Sequence, residues 1–398
     1  MLRPLLALFA LLLLAPPAEA ASLAATQSAL ARQMAKAGGA AGAYVVDVGS
    51  QQELFASNAD VARMPASVEK LYTSSAALLR FGADGHLSTT VLAPSVPDAS
   101  GAVPGDLVLR GGGDPTFDSA AAGTLADRLV QAGLQRIDGG VIGDESAFDA
   151  FRGPPSSGFQ LSSDVGPLSA LAYDHGRTGK RYPYFQTSPA RFAADAFEKA
   201  LERRGVQVAG KARAGVAPSG MEPLAHWDSP ALAAVVKAMN QPSDNYMAET
   251  LIKALGADYG TAGSTAAGAA VVRATVARFG IAPQIQDGSG LSRNDRTTPR
   301  QVVRLLAGMA DTEDADALDQ SLAVVGRNGT LRRRMRGTAA QDRCHAKTGT
   351  LRDVSTLAGY CTSTGGRRIA FAFLMNATTV WRAHPLQDHM TAALARLD

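Results

Sequence analysis

"MPASVEKLYTSS", residues 64–75, sets a lysine inside a segment that is otherwise mostly small or apolar. Leu71, Tyr72, Ser75, Leu78 and Leu79 share one helical face, and Val68, Ala76 and Ala77 cover other positions. That pattern predicts a helix buried on all sides, ended by Gly82. Lysine is costly to bury without a partner. Lys70 follows Ser67 by three positions, and side chains at i and i+3 lie on one helix face within reach of each other. A serine hydroxyl is a weak nucleophile until a base takes its proton, and burial favours a neutral amine. The pair therefore reads as nucleophile and base, with a lysine that tolerates burial because it works uncharged.

Working outward, "AGAYVVDVGSQQELFASNAD" (41–60) predicts two strands around Gly49-Ser50. From 83 to 225 glycine and proline are frequent and strands look short, with "TLADRLVQAG" and "FAADAFEKALERRG" as amphipathic helices. This region reads as an inserted domain. From 226 onward helices return: "PALAAVVKAMN", "YMAETLIKALG" and "AAGAAVVRATVARFG". A hairpin, "CHAKTGTLRDVSTLAGYC", then a buried strand, "RRIAFAFLMNAT", and a terminal helix, "HPLQDHMTAALARLD", complete the chain. The expected fold class is α/β (α+β). An antiparallel sheet flanked by helices would be built from residues 21–82 plus 226–398, with 83–225 inserted.

The 398-residue chain is 46% hydrophobic and 19% charged, an ordinary globular composition. Its formal charge of +3 is too small to argue for nucleic acid, and no basic stripe with interleaved aromatics is present. The run "LRRRMRG" reads as a solvated face, with peripheral contact with cell wall or a membrane surface as the alternative. At the N-terminus, Arg3, the apolar run Leu5 to Ala15 and the small residues Ala18 and Ala20 predict a secretory signal peptide over 1–20. The protein would then work in the periplasm or cell wall space. Two cysteines, Cys344 and Cys361, suit an oxidising compartment. If the hairpin turns at Arg352-Asp353, they face each other, and a cross-strand disulfide there is worth roughly 3 kcal/mol by loop-entropy arguments.

Two further motifs follow Ser67 and Lys70 in order. "QPSDNYMAE" holds Ser243-Asp244-Asn245 at the start of a helix, and "CHAKTGTL" holds Lys347-Thr348-Gly349 on a hairpin strand. S-x-x-K, S-D-N and K-T-G in that order are the motif set of serine β-lactamases and penicillin-binding proteins. The chemistry explains the residue types. Ser243 is placed to relay a proton to a leaving amine, and Asn245 to hold a substrate amide. Lys347 and Thr348 suit a substrate carboxylate, and Gly349 lets a ligand backbone lie against the strand. The N–H groups of Ser67 and Thr350 would form the oxyanion hole.

With "GDLVLRGGGDPTF", "PLSALAYDHG", "MNQPSDNYMAE", "DGSGLSRND" and "LRRRMRGTAA", the sequence resembles the D-Ala-D-Ala carboxypeptidase/endopeptidase family, the low-molecular-mass class C penicillin-binding proteins. The resemblance implies a penicillin-binding transpeptidase/β-lactamase-like domain with a large insertion between the first two motifs. It implies the peptidoglycan stem peptide as substrate, cleaved through an acyl-enzyme on Ser67, β-lactams as covalent inhibitors, and no cofactor. It places Arg293, Leu351 and Arg352 near the substrate, Arg293 beside the stem side chain. Two departures stand out. "YDHGRTGKRYPYFQT" replaces a longer family stretch, so the insertion is trimmed. "GPPSSGFQLSSDVG" offers only Phe159 and Asp164 where relatives that read diaminopimelate carry aromatic and acidic residues.

A β-lactamase or esterase on the same scaffold and a non-catalytic peptidoglycan-binding module are the competing readings. Glu249 and Glu313 lack the E-x-x-x-N context in which a class A β-lactamase activates water, so a penicillin adduct is expected to leave slowly. The six histidines are scattered, and His384 and His389 lack metal-ligand spacing. Glu69 is expected on the helix surface or behind the catalytic pair, and Asp114 in a turn.

Overall fold

The computed structural model describes residues 21–179 and 184–398. The signal-peptide reading over 1–20 lies outside the described residues, as do residues 180–183 of the shortened stretch. The centre is a sheet of six strands: β1 (Ala41–Asp47), β2 (Glu53–Ser57), β3 (Ala323–Val324), β4 (Cys344–Leu351), β5 (Val354–Thr362) and β6 (Arg368–Asn376). Their spatial order is β3-β4-β5-β6-β1-β2, and every pairing is antiparallel. The two ends of the chain therefore meet in mid-sheet, where Ala41 faces Met375 and Asp47 faces Ile369.

The continuous apolar runs of β1 and β6 follow from burial of both faces. Tyr44, Val46, Ala370, Ala372 and Leu374 point into one core, and Ala41, Ala43, Val45, Phe371 and Phe373 into another. Alternation at period two supplies both cores from one strand. The first core packs against α2 (Lys70–Phe81), α3 (Asn245–Tyr259) and neighbouring helices, the second against α1 (Leu23–Ala37) and α4 (Val380–Ala395). As its all-round pattern predicts, α2 is buried without a break from Lys70 to Leu78, and Gly82 caps it at φ 82°. Among the described residues no helix is long and apolar enough to cross a membrane.

Residues 83 to 225 bring a third apolar cluster of their own, with Phe117, Leu125, Phe197 and Leu201 at its centre. Helices Ser119–Gln131 and Pro189–Glu202 cover a five-stranded sheet there. Its edge strand, Glu222–Asp228, runs across position 225 to pair with Ser88–Ala93. Asp114 forms the expected turn, accepting from the Thr116 N–H and from Trp227 Nε1. In the basic run, Arg332, Arg333 and Arg336 are exposed, whereas Arg334 is tied to Asp388 and Gln387.

Candidate active site

The hairpin predicted around the cysteines turns between Leu351 and Val354, so Cys344 and Cys361 face each other and form a disulfide. The same register fixes Lys347, Thr348 and Gly349 on β4, the sheet's penultimate strand on that side.

Ser67 departs from the simple helix-start expectation. Ala66–Glu69 is a single 3₁₀ turn, and the α-helix begins only at Lys70. In a 3₁₀ turn residues three apart eclipse, which brings Lys70 Nζ to 3.0 Å from Ser67 Oγ. Ala66 just before it has φ 48°, a left-handed conformation that costs an alanine energy. Groups from the sheet hold this turn in place. Thr356 Oγ1 on β5 donates to the Pro65 carbonyl at 2.7 Å, and the Asn376 amide on β6 accepts from the Met64 N–H and donates to its carbonyl. Gly349 makes the close approach of β4 feasible: a Cβ there would stand 2.7 Å from the Pro65 carbonyl oxygen and 3.0 Å from the Ser67 nitrogen.

Lys70 is fully buried. Besides Ser67 Oγ, its amine meets Asn245 Oδ1 at 2.7 Å and the Ser289 carbonyl oxygen at 2.8 Å. Burial pulls its pKa down to about 8, against the opposing pull of Asp287, Glu249, Asp244 and Glu69. Desolvation is thus the main cause. Lys347, also fully buried, donates to Ser243 Oγ at 2.7 Å and to the Thr348 carbonyl at 2.9 Å. Burial, and then the charge of Lys70, hold its pKa well below the usual lysine range. Ser243 precedes α3 at φ 65°, another left-handed residue, and Asp244 caps the helix through the Met247 N–H. The structure thus gathers Ser67, Lys70, Ser243, Asn245, Lys347 and Gly349 from three separate segments. Thr348 bonds to Thr330 through the hydroxyls, and Thr350 stands exposed beside Gly349.

Asn245 also donates from Nδ2 to the Asp164 carbonyl, tying residues 83–225 to the cluster around Ser67 and Lys70. There an open cleft of about 660 Å³ is lined by Ser157, Asp164, Leu291, Arg293, Leu351 and Arg352, among others. Arg293 is engaged by Asp353 in two hydrogen bonds of 2.9 Å. Phe159, the other specificity candidate, stacks on Phe151 instead and does not line the cleft. Glu69 is not on the helix surface: it is completely buried beside Lys70. Sequence reasoning missed Ser289, Asn376 and Thr356, since a backbone carbonyl and a lone amide or hydroxyl carry no motif.

Comparison with known proteins follows the same lines. The D-Ala-D-Ala carboxypeptidase 3 (S13) family matches residues 23–179 and 181–397. A D-alanyl-D-alanine carboxypeptidase of Actinomadura sp. (strain R39) is 29% identical over 90% of this chain and 81% of its own. Carboxypeptidase DacB of Mycolicibacterium smegmatis is 30% identical over 83% and 75%. The crystal structure of penicillin binding protein 4 from Haemophilus influenzae superposes with a TM-score of 0.77 at 21% identity, covering 91% of this chain and 97% of that one. With family motifs, fold and gathered side chains in agreement, the chain belongs to the D-Ala-D-Ala carboxypeptidase 3 (S13) family, the low-molecular-mass class C penicillin-binding proteins.

Proposed function

We propose that the protein is a serine D-Ala-D-Ala carboxypeptidase and/or D,D-endopeptidase that cleaves peptidoglycan stem peptides through an acyl-enzyme on Ser67 and is acylated by β-lactams. The observation that carries this reading is the environment of Lys70. A neutral amine has two N–H donors and one lone pair. Asn245 Oδ1 and the Ser289 carbonyl are acceptors only, and they take both protons. The lone pair is left for the third neighbour, the Ser67 hydroxyl. In its neutral form the base is thus aimed at the Ser67 hydroxyl.

From there the steps follow from the residues present. Lys70 takes the Ser67 proton as Oγ attacks the penultimate D-Ala carbonyl. The developing oxyanion faces the backbone N–H groups of Ser67 and Thr350. Ser243, bonded to Lys347, passes a proton to the departing amine, either D-Ala or a cross-linked side chain. Lys347 and Thr348 receive the terminal carboxylate, whose arrival favours the charged lysine. Water then clears the acyl group. The cleft around Arg293, Leu351 and Arg352 accepts the stem side chain. Residues 83–225 act as an inserted domain that supplies the opposite wall through Asp164. The predicted leader over 1–20 sends the protein across the cytoplasmic membrane to the periplasm or cell wall space.

The test is D-Ala release from an N-acylated peptide ending in D-Ala-D-Ala, with intact mass recorded after ampicillin. Wild type is expected to release D-Ala and to gain one ampicillin mass on Ser67. Ser67→Ala is expected to lose both by about 10⁴-fold or more while retaining its fold. Undiminished release by Ser67→Ala, or no adduct on wild type, overturns the reading.

A further inference from the structure

Behind Lys70 lies a group of carboxyls for which the proposed reaction has no use. Glu69, Glu249, Asp287 and Asp295 are all completely buried. They come from three segments and converge on the loop 286–292, which lies between the nucleophile turn and α3. Apart from a link between Asp287 and Asp295 and one between Glu249 and the Ser289 side chain, the hydrogen bonds of this group are accepted from backbone N–H groups of that loop. Asp295 accepts from Gln286, and Asp287 accepts from Gly290 and Ser292. Glu249 Oε1 accepts from Gly288 at 3.1 Å and from Ser289 at 2.9 Å. Thr73 Oγ1, from α2, closes the frame by donating to the Gly288 carbonyl at 2.9 Å. The loop has no slack: a Cβ on Gly288 would collide with the Ala248 carbonyl, and one on Gly290 with the Ala66 carbonyl.

What the frame holds is the Ser289 carbonyl, one of the two acceptors on the Lys70 amine. The other acceptor, Asn245, sits four residues before Glu249 on the same face of α3. One helix thus delivers both: Asn245 by its own side chain, and Ser289 through the grip of Glu249 on its N–H. We propose that Glu249 is a positioning residue for acylation, which sets the Ser289 carbonyl against Lys70 and so turns the amine's lone pair toward Ser67. The inference rests on the peptidase reading above. It works through hydrogen-bond geometry and not through negative charge. Glu249 Oε2 makes no hydrogen bond, and neither oxygen of Glu69 does. Burial and the neighbouring Asp287 push the Glu249 carboxyl up to about 8, so it carries its proton through most of the neutral range.

Two conservative variants separate position from charge. Glu249→Gln keeps the acceptor in place and removes the charge. Glu249→Asp keeps the charge and withdraws the acceptor by about 1.5 Å, one carbon–carbon bond. Acylation of the full chain by a fluorescent penicillin is followed by stopped flow, with thermal unfolding as the check on fold. Glu249→Gln is expected within about threefold of wild type. Glu249→Asp is expected to lose 10- to 100-fold, in the acylation rate constant and not in the noncovalent affinity, because misplacement of about 1 Å costs on that order. The opposite ranking, equal loss in both, or no loss in either overturns the inference. Should Glu249→Asp fail to fold, Thr73→Val takes its place, losing only the other bond to the loop. A fall of 3- to 10-fold in the acylation constant supports the inference, and an unchanged constant overturns it. Failure of the peptidase reading shows itself earlier, in wild type that takes no penicillin or in Ser67→Ala that still does.

Discussion

The turn that carries Ser67 and the cleft that carries Arg293 are neighbours built by opposite means. Around Ser67 and Lys70 the hydrogen-bond partners come from several different elements: Thr356 and Asn376 from the sheet, Asn245 from α3, Ser289 from the loop above. Lys70 and Lys347 are wholly buried. In the cleft, Arg293 keeps 55% of its side chain exposed and is matched by Asp353 at 44%. Exposed pairs of this kind contribute about 0–1 kcal/mol. The Ser67–Lys70 pair is thus held by buried contacts, and the cleft wall at Arg293 by solvent-screened ones. Acylation is therefore expected to be sensitive to small displacements, and side-chain preference to be adjustable at little cost to the fold.

The largest break in that contrast is expected from Gly349→Ala. The new methyl would press on the Pro65 carbonyl and the Ser67 nitrogen, displacing the nucleophile turn. Penicillin acylation should fall by about 10²-fold, the usual penalty for misplacing reacting groups by about 1 Å. A rate within threefold of wild type would mean that the turn is not as confined as its contacts indicate.

A smaller effect is the pH profile of acylation. In the proposed mechanism Lys70 takes the Ser67 proton in its neutral form, and burial lowers its pKa to about 8 against the opposing pull of the acidic groups Asp287, Glu249, Asp244 and Glu69. The rate should therefore rise about tenfold per pH unit below 8 and level off above it. An unperturbed lysine would keep the rise going toward pH 10. A profile flat from pH 6 to 9 would remove Lys70 from the role of base.

The smallest effect is expected on the cleft side. Arg293→Ala should leave penicillin acylation unchanged and lower kcat/KM for stem peptides within about fivefold, in line with the roughly 1 kcal/mol ceiling of an exposed pair. Comparing stem peptides with charged and neutral third residues would sharpen the result. Loss of penicillin acylation in this variant would show that the cleft and the nucleophile turn are not independent.

Much of this was legible in the residues. The apolar runs of β1 and β6 and the unbroken small-or-apolar pattern of α2 mark elements buried on every side, and the S-x-x-K, S-D-N and K-T-G motifs mark the segments that meet. The cysteine spacing gave the hairpin its register. The rest was hidden for physical reasons. That Ser67 sits on a 3₁₀ turn depends on how β4 and β5 pack against residues 64–67, which is a tertiary effect. The Ser289 carbonyl has no side-chain signature. Glu249 was visible only as a glutamate in the wrong context for a lactamase. Its spacing of four from Asn245 was the available signal, because it places both on the face of α3 that looks at Lys70. Phe159 misled because an aromatic residue near a substrate wall has an equally good local partner in Phe151.

The central pairing of β1 with β6 joins residues 41–47 to residues 369–375, and the Asn376 clamp on Met64 spans a similar distance along the chain. Contacts so remote in sequence form late and slowly. A nascent or translocating polypeptide holding the S-x-x-K segment but not yet β6 has an open sheet edge and no fixed nucleophile. Hydrolytic competence therefore comes only once β6 has joined the sheet, so an incomplete chain cannot act on its substrate.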